Sequence, residues 1–312
     1  MKIAAIVNPI SGDGRGARCG KMIKESNGGI DVFETTLLQT AADLTWMALA
    51  KGYQMVIAAG GDGTVSEIAG VLAGSKIPLA VIPSGTGNDF SKGLGIPQNP
   101  REALETALCG KKIKIDAGTI NGRVFINAAS FGLDAKLTGR IPALKQSRFP
   151  FPGKLLYLIA FFQEMSQPIG YPEVEVHFQE KGEIVSRRTT ILVAANGPQY
   201  GAMFKIAPEA SFTDGFLDIC WIGKMRKKRI LTNIHKVLMG THLNLPETGL
   251  FRARSFTIRC DNELNCQVDG EVLESRKEYS IGCLPRTLEV VIPGDQKWQT
   301  AEIKAKLKLQ PA

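Results

Sequence analysis

The chain has 312 residues, 44% hydrophobic and 22% charged, with a formal net charge of +8. That length predicts two domains, and the composition is that of an ordinary globular protein, neither disordered nor collagen-like. The longest uninterrupted apolar run, Leu155 to Phe162, has 8 residues against the about 20 a membrane-spanning helix needs. The expectation is a cytoplasmic protein, peripheral at most on the inner face of a membrane.

Lys2 to Val7 reads as a strand, and its immediate start predicts no secretory leader. A polar turn, Asn8-Pro9-Ile10-Ser11-Gly12-Asp13-Gly14, follows, then a helical stretch near 15–26. Strands over 30–36, 55–59 and 77–82 alternate with helices over 40–51, 64–74, 88–94 and 100–109. Such alternation predicts a parallel sheet with helices on both faces, occupying residues 1–116. Beyond that point the pattern changes. Two β-like runs lie within 112–132, and Glu173 to Phe178 alternates strictly, as a half-exposed antiparallel strand does. Further β-rich runs at 185–195, 216–222, 255–260, 265–273 and 286–292 predict a mainly antiparallel sandwich or barrel over 117–297. Helices at 153–165 and 227–240 interrupt it. In the second of these, Ile230, Ile234, Val237 and Leu238 make one apolar face. Residues 298–312 are basic and read as a helix.

Three glycine-rich turns end three of the first-domain strands: Asn8 to Gly14, Gly60-Gly61-Asp62-Gly63-Thr64, and Ser84-Gly85-Thr86-Gly87-Asn88-Asp89. Turns of this kind let backbone N–H groups approach an anion, and a helix N-terminus adds favourable partial charge. Strands of a parallel sheet would collect all three at its carboxyl edge. Asp62 would repel a phosphate unless a metal ion or a reacting hydroxyl is also present. Asn88 or Asp89 is expected to cap the following helix. Gly14 with Gly20-Lys21-Met22 approaches a Walker A loop, but the spacing is one residue too long and Met replaces Ser or Thr. Gly12-x-Gly14-x-x-Ala17 matches only the relaxed dinucleotide fingerprint.

The cysteines at 19, 109, 220, 260, 266 and 283 form no CxxC pair, so neither a disulfide framework nor a zinc site is expected. His177, His235 and His242 are far apart and read as surface residues. The basic excess favours anionic partners, phosphates or acidic lipid headgroups. Nucleic acid is not expected, because no recognition motif is present.

VNPISG, GGDGTVSE and PSGTGNDF, in this order, with FINAASFGLDA at 125–135, ANG at 195–197, Ala207 to Gly215 and VDGE at 268–271, resemble the diacylglycerol kinase catalytic family. That family includes bacterial soluble lipid kinases and the related sphingosine and ceramide kinases. The resemblance covers nearly the whole chain. It implies a two-domain kinase with its active site in the cleft between domains, and a C-terminal tail, 298–312, returned to the first. ATP and Mg²⁺ are the implied cofactors, and a lipid hydroxyl, diacylglycerol for example, is the acceptor. By position, Asn8, Thr35, Gly60, Gly61, Gly63, Thr64, Val65, Ser66 and Thr86 would contact the nucleotide, with Thr36 an alternative to Thr35 and Ser66 standing where relatives often have Asn. Glu67 would brace the loop. Asp214, with carbonyls near Ser211 and Phe216, would bind a structural Mg²⁺. Glu271 would take the proton of the acceptor hydroxyl, with Asp62 the other candidate base; read alone, Asp269-Gly270-Glu271 also admits a hairpin turn within the 265–273 run. Residues 200–204 depart from a glycine run common in relatives. The rival readings are a small-molecule kinase of the NAD kinase type and a non-catalytic lipid- or nucleotide-binding protein on the same scaffold.

Two segments suit a lipid surface at this level. Arg140, Lys145, Arg148 and Lys154 precede the apolar run 155–162, which reads equally as a core helix. Lys224 to Arg229 places five positive charges in six residues, either a solvated surface or a patch for anionic headgroups.

Overall fold

A computed structural model describes residues 1–26, 29–145, 153–180, 182–201 and 204–294, with backbone alone for 145, 153 and 154. The tail from 295 onward, Lys145, Arg148 and Lys154 as side chains, and residues 202 and 203 lie outside the described residues. The chain divides into two compact units: residues 1–115 with the strand that begins at Arg286, and residues 116–285.

The first unit contains β1 (Ile3–Val7), α1 (Ser11–Glu25), β2 (Ile30–Glu34), α2 (Ala41–Ala50), β3 (Met55–Gly60), α3 (Asp62–Leu72), β4 (Leu79–Pro83), α4 (Asp89–Gly93) and α5 (Pro100–Cys109). β5 (Lys111–Ile120) leads out of it. The sheet runs β2-β1-β3-β4, all parallel. β1, β3 and β4 are buried along their whole length, as sheet interiors covered on both faces must be. α1 packs with α5 and α2 with α3, one pair on each face. Local chemistry sets the helix starts. Thr40 and Asp43 form a reciprocal capping box on α2, and Asn99 caps α5 ahead of Pro100, where a missing N–H costs nothing.

The second unit adds β6 (Arg123–Phe125), β7 (Ala128–Gly132), α6 (Leu133–Lys145), α7 (Gly153–Ser166), β8 (Glu173–Phe178), β9 (Glu183–Ala195), β10 (Leu217–Gly223), α8 (Lys227–Met239), β11 (Thr248–Ala253), β12 (Ser255–Val268) and most of β13 (Glu271–Ile292). The first half of β9 pairs with β8 and its second half with β7. β12 does the same, with Phe256 opposite Phe178 and Val268 opposite Ala129. β7, β9, β8 and β12 therefore close on themselves as a small barrel. Its filling follows the two-residue period of strands: Ala129 and Phe131, Val174 and Val176, Leu192 and Ala194, Phe256 and Ile258, Cys266 and Val268. The outward residues of β7, β9 and β10, Ala128, Val193, Ala195, Cys220 and Ile222, form a second core with α6, α7 and α8.

Three details differ from the sequence reading. The run 265–273 is not one strand. Asp269 and Gly270, both at positive φ, make a two-residue hairpin turn between Val268 and Glu271, which face each other, as an Asp-Gly pair favours. The segment 286–292, read with the second domain, belongs to the first unit, where Val290 lies opposite Leu79 of β4. α6 and β11 have no counterpart in the sequence reading.

The Asp269 carboxylate anchors that hairpin. It accepts the backbone N–H groups of Ile126 and Asn127, both at 2.8 Å, and of Ala128 at 3.1 Å. Asp269→Ala leaves those donors without their acceptor. Each hydrogen bond to a charged group is worth about 1.5–3 kcal/mol, so urea unfolding should show a loss of roughly 3 kcal/mol or more. A loss under about 0.5 kcal/mol, the size of a neutral surface change, would show that the hairpin is held by its strands alone.

Candidate functional site

Strand register decides what meets at the carboxyl edge of the first sheet. Val7 lies beside both Glu34 and Ala59, Ala59 beside Ile82, and Gly60 beside Pro83. The residues that follow each strand are therefore neighbours. In the order β2-β1-β3-β4 the connections leave β1 and β3 in opposite directions, and such switch points are where open α/β sheets bind ligands. The Asn8 N–H donates to Ala59 O at 2.9 Å, Thr35 N–H to Val7 O at 2.8 Å and Ser84 N–H to Gly60 O at 2.9 Å. Asn8 Nδ2 donates to the hydroxyl of Thr64 at 3.1 Å. The hydroxyls of Ser11 and Ser84 lie 2.5 Å apart, and Arg15 reaches Gly85 O at 2.7 Å. Asn8 Oδ1 is buried without a hydrogen-bond partner.

The two later turns pack backbone against backbone. A Cβ on Gly85 would lie 2.5 Å from the Gly61 Cα. Gly63, in the first turn of α3, faces open space. That first turn leaves N–H groups without intrahelical partners, aimed past a residue with no side chain. Oriented N–H donors, hydroxyls and the positive end of a helix suit a polyphosphate. Thr86 is exposed and Thr35 half-buried at the same edge.

The other first-unit residues divide differently from expectation. Val65 turns its side chain into the core and donates its N–H to Gly61 O, so it has nothing to offer a ligand. Ser66 lies one turn further into α3. Glu67 accepts the Ala41 N–H at 3.0 Å and so braces α2 rather than the glycine loop. Asn88, the N-cap of α4, makes no side-chain cap hydrogen bond; Asp62 reaches across from the preceding turn and accepts the Phe90 N–H at 3.2 Å. Lys21 sits outward on α1 beside Glu25 at 3.8 Å, and is no phosphate lysine.

In the second unit, Glu271 follows the anchored hairpin and is largely exposed, in a two-point ion pair with Arg123 at 3.0 and 2.5 Å. Asp214 is a different case. Its Oδ1 accepts the Phe216 N–H at 3.1 Å, and its Oδ2 lies 2.9 Å from Arg252 Nη2. Arg252 also pairs with buried Asp218 at 3.3 Å. Desolvation raises the Asp218 carboxyl and the guanidinium opposes that rise. No cluster of three acidic, histidine or cysteine side chains able to hold a metal occurs among the described residues. Asp214, expected with Ser211 and Phe216 to hold Mg²⁺, is thus ion-paired with Arg252 here, and a metal ion at these residues stays an expectation from the resemblance.

Between α8 and the outer face of β9 and β10 lies an apolar cavity of about 70 Å³, lined by Leu137, Phe161, Ile206, Ile230, Ile234 and Val237 among others. Its polar lining includes Asp134, Tyr200 and His242. Burial raises the Asp134 carboxyl, opposed by hydrogen bonds from Ser130, Gln267 and Tyr200. Burial and Asp134 together push the Tyr200 phenol well above its usual value. His242 is fully buried, contrary to the surface expectation, and desolvation lowers its imidazole. Gln267 links this cluster to the hairpin: its Nε2 donates to Ser130 at 2.7 Å and Asp134 at 3.1 Å, and its Oε1 accepts the Gly270 N–H at 2.8 Å. The sequence held a signal for Asp134, inside FGLDA ahead of an i, i+4, i+8 apolar series. Tyr200 and His242 had none.

Because Arg252 satisfies Asp214 and Asp218, the unfolding midpoint of the native chain should not move on adding EDTA. Arg252→Gln should destabilise by about 1–2 kcal/mol, and millimolar Mg²⁺ should restore part of that. A native midpoint that falls in EDTA would place a metal ion at Asp214 in solution.

Residues 2–120 match the family model described as the diacylglycerol kinase catalytic domain, and residues 127–292 match that of the YegS C-terminal NAD kinase beta sandwich-like domain. A diacylglycerol kinase of Mycobacterium tuberculosis is 32% identical over 302 residues, covering 94% of this chain and 95% of that one. A YegS-like lipid kinase of Pseudomonas aeruginosa is 32% identical over 252 residues, 79% of each chain. The solved structure of a diacylglycerol kinase from Bacillus anthracis superposes with a TM-score of 0.73 at 23% identity, covering 93% of this chain and 96% of that one, which shows the shared fold.

Proposed function

The chain belongs to the family of diacylglycerol kinases and YegS-like lipid kinases, and we propose that it transfers the γ-phosphate of MgATP to a hydroxyl of a lipid such as diacylglycerol. The observation that carries this reading is the register of β1, β3 and β4, which gathers three glycine-rich turns and the start of α3 at one switch point.

Phosphoryl transfer asks little covalent chemistry of a protein; it depends on positioning and on stabilising charge. The N–H groups at Gly61, Gly63 and Thr64 would hold phosphate oxygens. The Asn8 amide, fixed on Thr64, would turn its unpartnered Oδ1 and the adjoining loop toward the nucleotide. Thr86 and Thr35 offer hydroxyls at the same edge, and Gly60 keeps the strand end close. Mg²⁺ enters with ATP as part of the substrate and neutralises phosphate charge. The second unit supplies the acceptor side. Its cavity has the apolar lining an acyl chain needs and would have to widen from about 70 Å³ to admit one, and the Asp134–Tyr200 pair offers hydrogen bonds at the chain's polar end.

Glu271 is assigned as the group that takes the hydroxyl proton. Arg123 orients its carboxyl group through the two-point contact, and the Asp269 anchor fixes the turn that presents it. Asp62 already serves α4 as a distant cap, so its loss would disturb the phosphate turns even if it moved no proton.

With γ-labelled ATP and a panel of diacylglycerol, phosphatidylglycerol, undecaprenol and a sphingoid base, label should appear in one lipid. Label in NAD alone, or in no acceptor, would contradict the reading. Glu271→Gln should retain ATP affinity while kcat falls by at least ~10²-fold, the scale of general base catalysis. Asp62→Asn, by contrast, should weaken ATP binding. Near-normal kcat in Glu271→Gln, with transfer abolished in Asp62→Asn at unchanged ATP affinity, would move the base to Asp62.

A further inference from the structure

Helix α8 begins in an unusual electrostatic setting. The segment Lys224 to Arg229 holds five cations in six residues. Arg229 is paired with Glu247, and the Lys224 ammonium stands 5.6 Å from the Tyr171 ring centre. Among the described residues, Arg226, Lys227 and Lys228 have no acidic partner. Lys227 and Lys228 occupy the first turn of α8, which contains no acidic residue. Cations at the positive end of a helix dipole are unfavourable, and an external anion would relieve that. Lys224, Arg226, Lys228 and Arg229 line an open hollow of about 560 Å³, with Glu247, the partner of Arg229, as its one carboxylate.

The same helix is apolar on more than its buried face. Ile230, Ile234 and Val237 pack into the core beneath it. Leu231, Leu238 and Met239 are nonetheless 42%, 36% and 67% exposed. α7, which covers the same core, exposes Leu155, Leu158 and Phe162 at i, i+3 and i+7, while Leu156, Ala160 and Phe161 are buried. That segment thus packs on the core with one face and leaves apolar side chains exposed on the other. Water-exposed apolar side chains on two helices, bordered by uncompensated cations, match the interfacial zone of a bilayer: cations at the headgroups, apolar side chains below them.

We propose that the start and outward face of α8 form the surface by which this protein docks on an anionic phospholipid bilayer. Arg226, Lys227 and Lys228 meet the headgroup phosphates, and Leu231, Leu238 and Met239 enter the interface. The inner faces of α7 and α8 line the apolar cavity through Phe161, Ile230, Ile234 and Val237, so docking here would set that cavity beside the lipid. This partner deepens the lipid kinase reading and rests on it for its purpose, but not for its test.

The full chain is sedimented with vesicles of phosphatidylcholine alone and with about 30% phosphatidylglycerol added, at low and physiological salt. Binding to anionic vesicles should be at least ~10-fold tighter than to neutral ones, and should weaken as salt screens it. Arg226→Glu with Lys228→Glu should remove that preference. Leu238→Ser with Met239→Ser should leave the salt-sensitive component and abolish the salt-resistant one. All four substitutions are at exposed positions, and thermal melts establish that the variants fold. Transfer to a short-chain, water-soluble diacylglycerol should be unchanged in them. If the variants bind anionic vesicles as the native chain does, or if neutral vesicles bind equally well, the docking surface is refuted while transfer still tests the kinase reading. If inorganic phosphate raises Tm through Arg226 and Lys228 and vesicles do not bind, the hollow serves a free anion and the proposal fails. If vesicle binding depends on these residues but no lipid is phosphorylated, docking stands and the kinase reading falls.

Discussion

The alignment of parallel strands in the first unit is the constraint on which the proposed nucleotide site depends. Asn8 follows β1, Thr35 follows β2, Gly61 follows β3 and Ser84 follows β4, and they meet only because Val7, Glu34, Ala59 and Ile82 lie level across the sheet. A one-residue slip of β3 would exchange its two buried faces and carry the Gly61 turn out of line with Ser84. The backbone approach of Gly61 to Gly85 makes that alignment exclusive, since a side chain at Gly85 would overlap its neighbour. Asp62 adds a further tie between the two turns through the Phe90 N–H. The polar groups that would hold phosphate are thus fixed before any ligand arrives, as transition-state stabilisation by preorganised donors requires.

The second unit solves a different problem with the same economy of parts. Within the barrel, long strands β9 and β12 each pair with both β7 and β8 and so leave no free edge at those positions. The Asp269 hairpin is fastened to the start of β7 by three N–H groups. One step away, Gln267 joins the hairpin to the buried Asp134 cluster. A shift at the cavity's polar end would therefore reach the turn that carries Glu271 through two hydrogen-bonded side chains.

Much of the first unit could be read from its sequence because its strands are short apolar runs and two of its helices, α2 and α5, begin at side-chain caps. The barrel was harder. α6 contains Gly139 and Pro142, which mask the series Leu133, Leu137, Ile141, and β11 opens with Thr-Gly, which reads as a turn. For the site, the glycine turns were visible because backbone approach demands particular residues at adjacent positions. The partners of the acids were not: Arg123 lies 148 residues from Glu271, and Arg252 is likewise remote in sequence from Asp214. No local pattern encodes such pairs, so the ion pairs of Asp214 with Arg252 and of Glu271 with Arg123 emerge only in the fold.

Gly63 offers the most direct test of the central claim, that the first turn of α3 receives the phosphates of ATP. Its position faces open space, so a side chain there should leave the fold intact while occupying the volume the anion needs. Isothermal titration of MgATP into Gly63→Val, with the thermal melt as control, should show a native-like Tm and a loss of at least ~10-fold in affinity, about 1.4 kcal/mol. Unchanged ATP affinity in a folded Gly63→Val protein would contradict the account and place the nucleotide elsewhere.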